Sequence, residues 1–92
     1  MYNTLKALES LLNLVFAMGY NQIVVRIKDA PNHVCLSVWR GRAEWMLRIG
    51  QIKDQSWYVY YIDNGGIVIL FEGYVFADAL CVFFKKLHEI AD

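Results

Sequence analysis

Few residues in this 92-residue chain carry reactive side chains, and their spacing limits what they can do. His33, Cys35 and Ser37 alternate along one apolar stretch. In an extended strand that alternation puts all three on one face. A histidine beside a cysteine can hold a thiolate. In the register derived below, however, no carboxylate stands beside this set, and Cys35 reads as a packing residue. Cys81 and His88 lie two helical turns apart near the C-terminus. Together with His33 and Cys35 they would make a four-ligand zinc set. The two pairs fall on different layers of the predicted fold, and no finger or ribbon spacing is present. Gly65-Gly66 separates two strand-like runs, so it reads as a hairpin turn; a phosphate loop needs a strand-to-helix junction. No catalytic residue, metal site or cofactor is therefore predicted.

What is left is the chemistry of recognition. All four arginines fall between positions 26 and 48, interleaved with Trp39 and Trp45. Residues 1–53 carry seven basic side chains against Glu9, Asp29 and Glu44, and residues 54–92 carry six acidic ones against Lys85 and Lys86. The halves are thus +4 and −4 within a chain of formal net charge zero. Zero net charge gives no bulk attraction to nucleic acid or anionic lipid.

The elements that would position these residues are legible from periodicity. The stretch Ser56 to Phe71 is the clearest hairpin signal, with aromatic and β-branched arms around Asn64-Gly65. Asn-Gly suits a type I′ turn, which needs positive φ at both central residues. A two-residue loop sets Ile62 opposite Ile67, Tyr60 opposite Ile69 and Tyr58 opposite Phe71. On the other face Tyr61 meets Val68, Val59 meets Leu70 and Trp57 meets Glu72. Both faces of this hairpin are largely apolar, where an antiparallel pair at a wet surface normally turns one face polar.

Around the hairpin, residues 3–18 read as a helix, with Leu5, Leu8, Leu11, Leu12, Val15 and Met18 at helical spacing. Asn3 or Thr4 would cap its start and Gly19 its end. Residues 22–28 alternate as a strand, Asp29 to Asn32 is a turn around Pro31, and His33 to Trp39 is the next strand. This sets Ile27 opposite Val34, Val25 opposite Leu36 and Ile23 opposite Val38. A tight Gly41-Arg42 turn then sets Val38 opposite Trp45, Leu36 opposite Leu47 and Val34 opposite Ile49. Cys35 meets Arg48 on the other face. A turn at Lys53-Asp54 sets Ile49 opposite Tyr58, Leu47 opposite Tyr60 and Trp45 opposite Ile62. In this register one face is free of charge, and Arg26, Lys28, Glu44, Arg48 and Glu72 share the other. The chain ends in a helix from about Val75 to Ile90, striped by Phe76, Ala79, Leu80, Phe83, Phe84, Leu87 and Ile90.

Five strands span roughly 20 Å, the width two helices of about 10 Å diameter cover. The expected fold is a single α+β domain over residues 1–92: a two-layer sandwich, with a five-stranded antiparallel meander and both terminal helices on one face. The apolar content of 58% excludes disorder. No apolar run approaches the roughly 18 residues of a membrane span, and no signal-peptide pattern opens the chain. With two cysteines in apolar runs, this points to a cytoplasmic protein without a membrane partner.

The other sheet face would then be open, and there this reading places a contact surface: Trp57, Val59, Tyr61, Val68 and Leu70, flanked by Trp39, Arg26 and Arg48. Arg40 and Arg42 on the adjacent turn form a secondary candidate. Tryptophan, tyrosine and arginine are favoured interface anchors. The expectation is a small non-enzymatic protein-binding module: an inhibitor, adaptor or regulatory subunit, self-associating as a homodimer. An inhibitor borne by a phage or mobile element is one concrete version, though no residue marks that origin. The alternative is single-stranded nucleic acid, whose bases stack on exposed aromatics while arginine and lysine hold phosphates.

Overall fold

Helical spacing at the two termini and period-two alternation between them fold into seven elements in a computed structural model, which describes residues 2–17, 23–30, 33–41, 45–52 and 55–91. They are α1 (Tyr2–Ala17), β1 (Ile23–Ala30), β2 (His33–Arg40), β3 (Trp45–Ile52), β4 (Trp57–Asp63), β5 (Gly66–Gly73) and α2 (Phe76–Ala91). The strands form one antiparallel sheet in the order β1-β2-β3-β4-β5. This is the expected α+β meander. The proposed Gly19 cap, and the turn residues Pro31, Asn32, Arg42, Lys53 and Asp54, lie outside the described residues.

Both helices pack on one face. Leu5 and Leu12 of α1 and Ala79, Phe83 and Leu87 of α2 join Val25, Leu36, Val38, Leu47, Ile49, Trp57 and Val59 in a single buried cluster. α1 lies over β1 and β2, and α2 over β3, β4 and β5. Asp78 in the first turn and His88 in the last complement the α2 dipole. α1 starts at Tyr2, so Asn3 and Thr4 fall inside its first turn. Its Leu11 and Val15, read as part of the apolar stripe, are exposed, as are neighbouring Leu14 and, on α2, Phe84.

Two hairpins differ from expectation by two residues. Val25 pairs with Val38 and Ile27 with Leu36, leaving residues 31–32 between β1 and β2. Val38 pairs with Leu47 and Leu36 with Ile49, leaving residues 41–44 between β2 and β3. The first loop is two residues shorter than expected and the second two longer. A shift of two preserves which face each side chain takes, so the faces of β1, β2 and β3 stand as predicted. Cys35, however, opposes Gly50, and Ser37 takes the place opposite Arg48.

The third hairpin differs by one residue, and this inverts the facing of β4 and of β5 as far as Ile69. Ile49 pairs with Val59 and Leu47 with Tyr61, where Tyr58 and Tyr60 were expected. The cause is the turn. Ile52 N–H donates to the Ser56 carbonyl at 3.0 Å and Gln55 N–H to the Ile52 carbonyl at 2.9 Å. Gln55 has a φ of 69°. Three residues, the last left-handed, connect the strands in place of two, a standard hairpin loop. Glutamine is not a residue type that announces a left-handed position.

The fourth turn is as read, with Asn64 at φ 49° and Gly65 at φ 81°. Ile62 pairs with Ile67 and Tyr60 with Ile69. A bulge then breaks the ladder between Val59 and Tyr60, so Val59 opposes Phe71 and Tyr58 opposes Glu72. Leu70 is the extra residue. The inversion at the third turn and the bulge cancel beyond Leu70: Phe71 stays on the helix face and Glu72 on the open face in both registers.

Candidate binding surface on the open sheet face

The corrected register moves the surface. Trp57 (3% exposed) and Val59 (0%) lie under α2, where the Trp57 ring meets Phe76 at a centroid distance of 4.3 Å. Tyr61 and Leu70 pack against the same core, and Val68 sits on that face at the sheet's edge. Only Trp39, Arg26 and Arg48 of the expected contact residues share the open face. The residues of β4 and β5 that replace the others are Tyr58, Tyr60, Ile62, Ile67 and Ile69.

Three cross-strand rows build this face. Arg26, Ser37, Arg48, Tyr60 and Ile69 form the central row. Lys28, Cys35, Gly50, Tyr58 and Glu72 lie on one side of it, and Val24, Trp39, Met46, Ile62 and Ile67 on the other. The central row runs from a charge on β1 to an apolar residue on β5; the second is charged at both ends, and the third is apolar at both.

The β1–β3 half is basic and aromatic. The Arg26 guanidinium stands 5.5 Å and the Lys28 ammonium 5.9 Å from the Trp39 ring centroid. Trp39 Nε1 donates to Met46 Sδ at 2.8 Å, and Arg48 Nε to the same sulfur at 3.2 Å. Arg48 Nη1 donates to Tyr60 Oη at 2.8 Å, which joins the two halves. No carboxylate pairs with Arg26, Lys28 or Arg48 among the described residues. Beneath the arginines the Ser37 hydroxyl is fully buried without a hydrogen-bond partner. Cys35 is buried beside it, a free thiol, while the free thiol of Cys81 is exposed on α2. No group of three or more His, Cys, Asp or Glu side chains converges among the described residues.

Gly50 is required where the halves meet. A Cβ there would stand 2.6 Å from both Tyr58 Oη and the Val34 carbonyl, and 2.7 Å from Cys35 Cβ. Its absence lets the Tyr58 side chain lie across β3 toward Cys35. Burial, then the adjacent Cys35, raises the Tyr58 phenol well above its ordinary value near 10. Tyr58 also stacks on Tyr60 at 5.3 Å.

The β4–β5 half is apolar. Ile67 is 65% exposed and Ile69 62%. With Ile52, Tyr58, Tyr60 and Glu72 they line a shallow groove of about 340 Å³. Glu72 is its sole charge, set at one end of the stripe.

Arg40, the secondary candidate, points to the helix face. Its Nη1 donates to the Ile90 carbonyl at 2.6 Å and so caps the C-terminal end of α2. The guanidinium thus ties β2 to α2, a contact that sequence reasoning missed because the two are far apart in the chain. Arg42 lies outside the described residues. No described helix is long and apolar enough to cross a membrane. Comparison with protein-family models, curated proteins and solved structures gives no match for this chain.

Proposed function

We propose that this chain is a non-catalytic protein-binding module, an inhibitor, adaptor or regulatory subunit, that docks a partner on the open sheet face. The observation that carries this reading is the exposure of Ile67 and Ile69 beside Tyr58 and Tyr60, an apolar stripe with a basic border. Contiguous apolar surface rimmed by polar groups marks interaction sites. Arg26, Lys28 and Arg48 against Glu72, the one carboxylate on this face among the described residues, suit a partner whose apolar ridge is flanked by carboxylates. Such a partner would lay its ridge along the stripe and its acids over β1–β3.

Tyr60→Asp tests this. Wild-type protein and a Leu14→Lys control, altered on the outer side of α1, should both retain a partner in affinity capture, and Tyr60→Asp should lose it while staying folded. A partner kept by Tyr60→Asp and lost by Leu14→Lys would move the site to α1.

A second reading is supported by a specific arrangement: cations over aromatic rings, with Arg26 and Lys28 at Trp39 and Arg48 at Tyr60. Single-stranded nucleic acid binds such platforms by stacking and phosphate contact. Trp57 is buried and Trp45 lies on the helix side beside Arg40, so quenching of tryptophan fluorescence by oligonucleotides on the open face would report chiefly on Trp39. Quenching that weakens with salt and disappears in Trp39→Phe would favour nucleic acid over protein.

A further inference from the structure

We infer that β5 pairs with β5 of a second copy of this chain, antiparallel about a two-fold axis at Val68, joining two five-stranded sheets edge to edge. The inference rests on the protein-binding reading and names a partner for one margin of that surface.

The first observation is the contrast between the sheet's two edges. Exposed edges template pairing with other strands and are normally blunted by charge, proline or a covering side chain. β1 is blunted: it carries Arg26 and Lys28, and Glu9 of α1 accepts the Ile27 N–H at 2.6 Å. β5 runs Ile-Val-Ile-Leu-Phe from Ile67 to Phe71 with no charge or proline, and no side chain caps its outer edge among the described residues.

The second observation is self-complementarity. The two-residue turn closes on Asp63 and Gly66, and antiparallel bonding alternates along the strand. Gly66 and Val68 therefore bond inward to β4, while Ile67 and Ile69 direct their N–H and C=O groups outward. A two-fold axis at Val68 sets Ile67 of one copy opposite Ile69 of the other. That pair exchanges both bonds, and its symmetry mate does the same, for about four hydrogen bonds. On the open face isoleucine meets isoleucine, and on the helix face Val68, 41% exposed, meets its own copy. No like charges oppose. The bulge at Leu70 ends the seam before Glu72 enters it.

Other self-contacts fit worse. Pairing through β1 would break the Glu9 contact and crowd two sets of Arg26 and Lys28. Stacking two open faces would press Arg26, Lys28 and Arg48 of both copies together. Edge pairing instead leaves the open faces side by side, the apolar stripes meeting at the centre and the basic rows outside.

The test is cross-linking in a Cys81→Ser background, under mild oxidation with oxidised glutathione. Val68→Cys places two thiols directly across the axis, within the Cα separation a disulfide spans; Ile67→Cys leaves them roughly 8 Å apart. Val68→Cys should form a covalent dimer at least about tenfold faster than Ile67→Cys. Wild-type protein should sediment at the two-chain mass, a readout independent of either variant's folding. A single-chain mass at every concentration, or equal cross-linking at both positions, overturns the inference. Either result leaves docking at Tyr60 standing, because that site is probed on β4.

Discussion

The β1–β3 and β4–β5 regions of the sheet are held by the same kind of ladder and covered by the same kind of helix, yet they differ in how a side chain's fate is decided. In β1–β3 the two faces differ in polarity. Val25, Leu36, Val38, Leu47 and Ile49 go to the core, and Arg26, Lys28 and Arg48 go to the open face. In β4–β5 both faces are apolar, so polarity does not choose between them. The choice is made by the left-handed Gln55 in the preceding turn. A region whose composition leaves both faces acceptable to the core also leaves apolar surface uncovered, and that surplus is where binding is proposed.

Adjacent residues of β4 sharpen this contrast most. Val59→Asp buries an unpaired carboxylate at a fully buried position and should cost more than about 4 kcal/mol, enough to unfold a small domain. Tyr60→Asp, one residue on and on the open face, should cost about 1 kcal/mol through lost stacking and the Arg48 hydrogen bond. Thermal denaturation followed by circular dichroism separates them. Similar costs at both positions would erase the difference between the faces.

Gly50→Ala is next. Its added methyl meets the backbone carbonyl of Val34, which cannot swing aside, so a loss of about 2–3 kcal/mol is expected in urea denaturation. A neutral result would mean that the β2 and β3 backbones do not approach this closely at Gly50.

An effect as small as that of Tyr60→Asp is expected at the β1 edge. Glu9→Ala removes the carboxylate that accepts the Ile27 N–H, a contact at a partly exposed site worth about 1 kcal/mol. Hydrogen exchange at Ile27 should quicken. If exchange there is unchanged, β1 is no better protected than β5, and the contrast between the edges fails.

Much of this architecture is legible in the residues. The helical spacing of Leu5, Leu8 and Leu12 and of Ala79, Phe83 and Leu87 predicts both helices, and Asn64-Gly65 predicts its turn and register. Pro31 and Gly41 mark loops, and errors of two residues around them leave the faces unchanged. The contact surface is legible only on β1–β3, because Arg26, Lys28 and Arg48 mark the wet side there. β4–β5 carry two charges: Asp63, which ends β4 at the turn, and Glu72, the one within the paired length of β5. The Leu70 bulge returns it to the open face after the inversion, so it supports the wrong register as well as the right one. Nothing in leucine or glutamine as residue types announces a bulge or a left-handed turn. The Arg40 bond to Ile90 is illegible for a different reason: it depends on how near the end of α2 comes to the Arg40 side chain at the end of β2.

The central claim is that Tyr58, Tyr60, Ile67 and Ile69 occupy the open face, and it reduces to one register. Cross-strand nuclear Overhauser contacts between β3 and β4 measure it directly. Contacts pairing Ile49 with Val59 and Leu47 with Tyr61 are predicted. Contacts pairing Ile49 with Tyr58 and Leu47 with Tyr60 would return Trp57, Val59 and Tyr61 to the open face and contradict the surface proposed here.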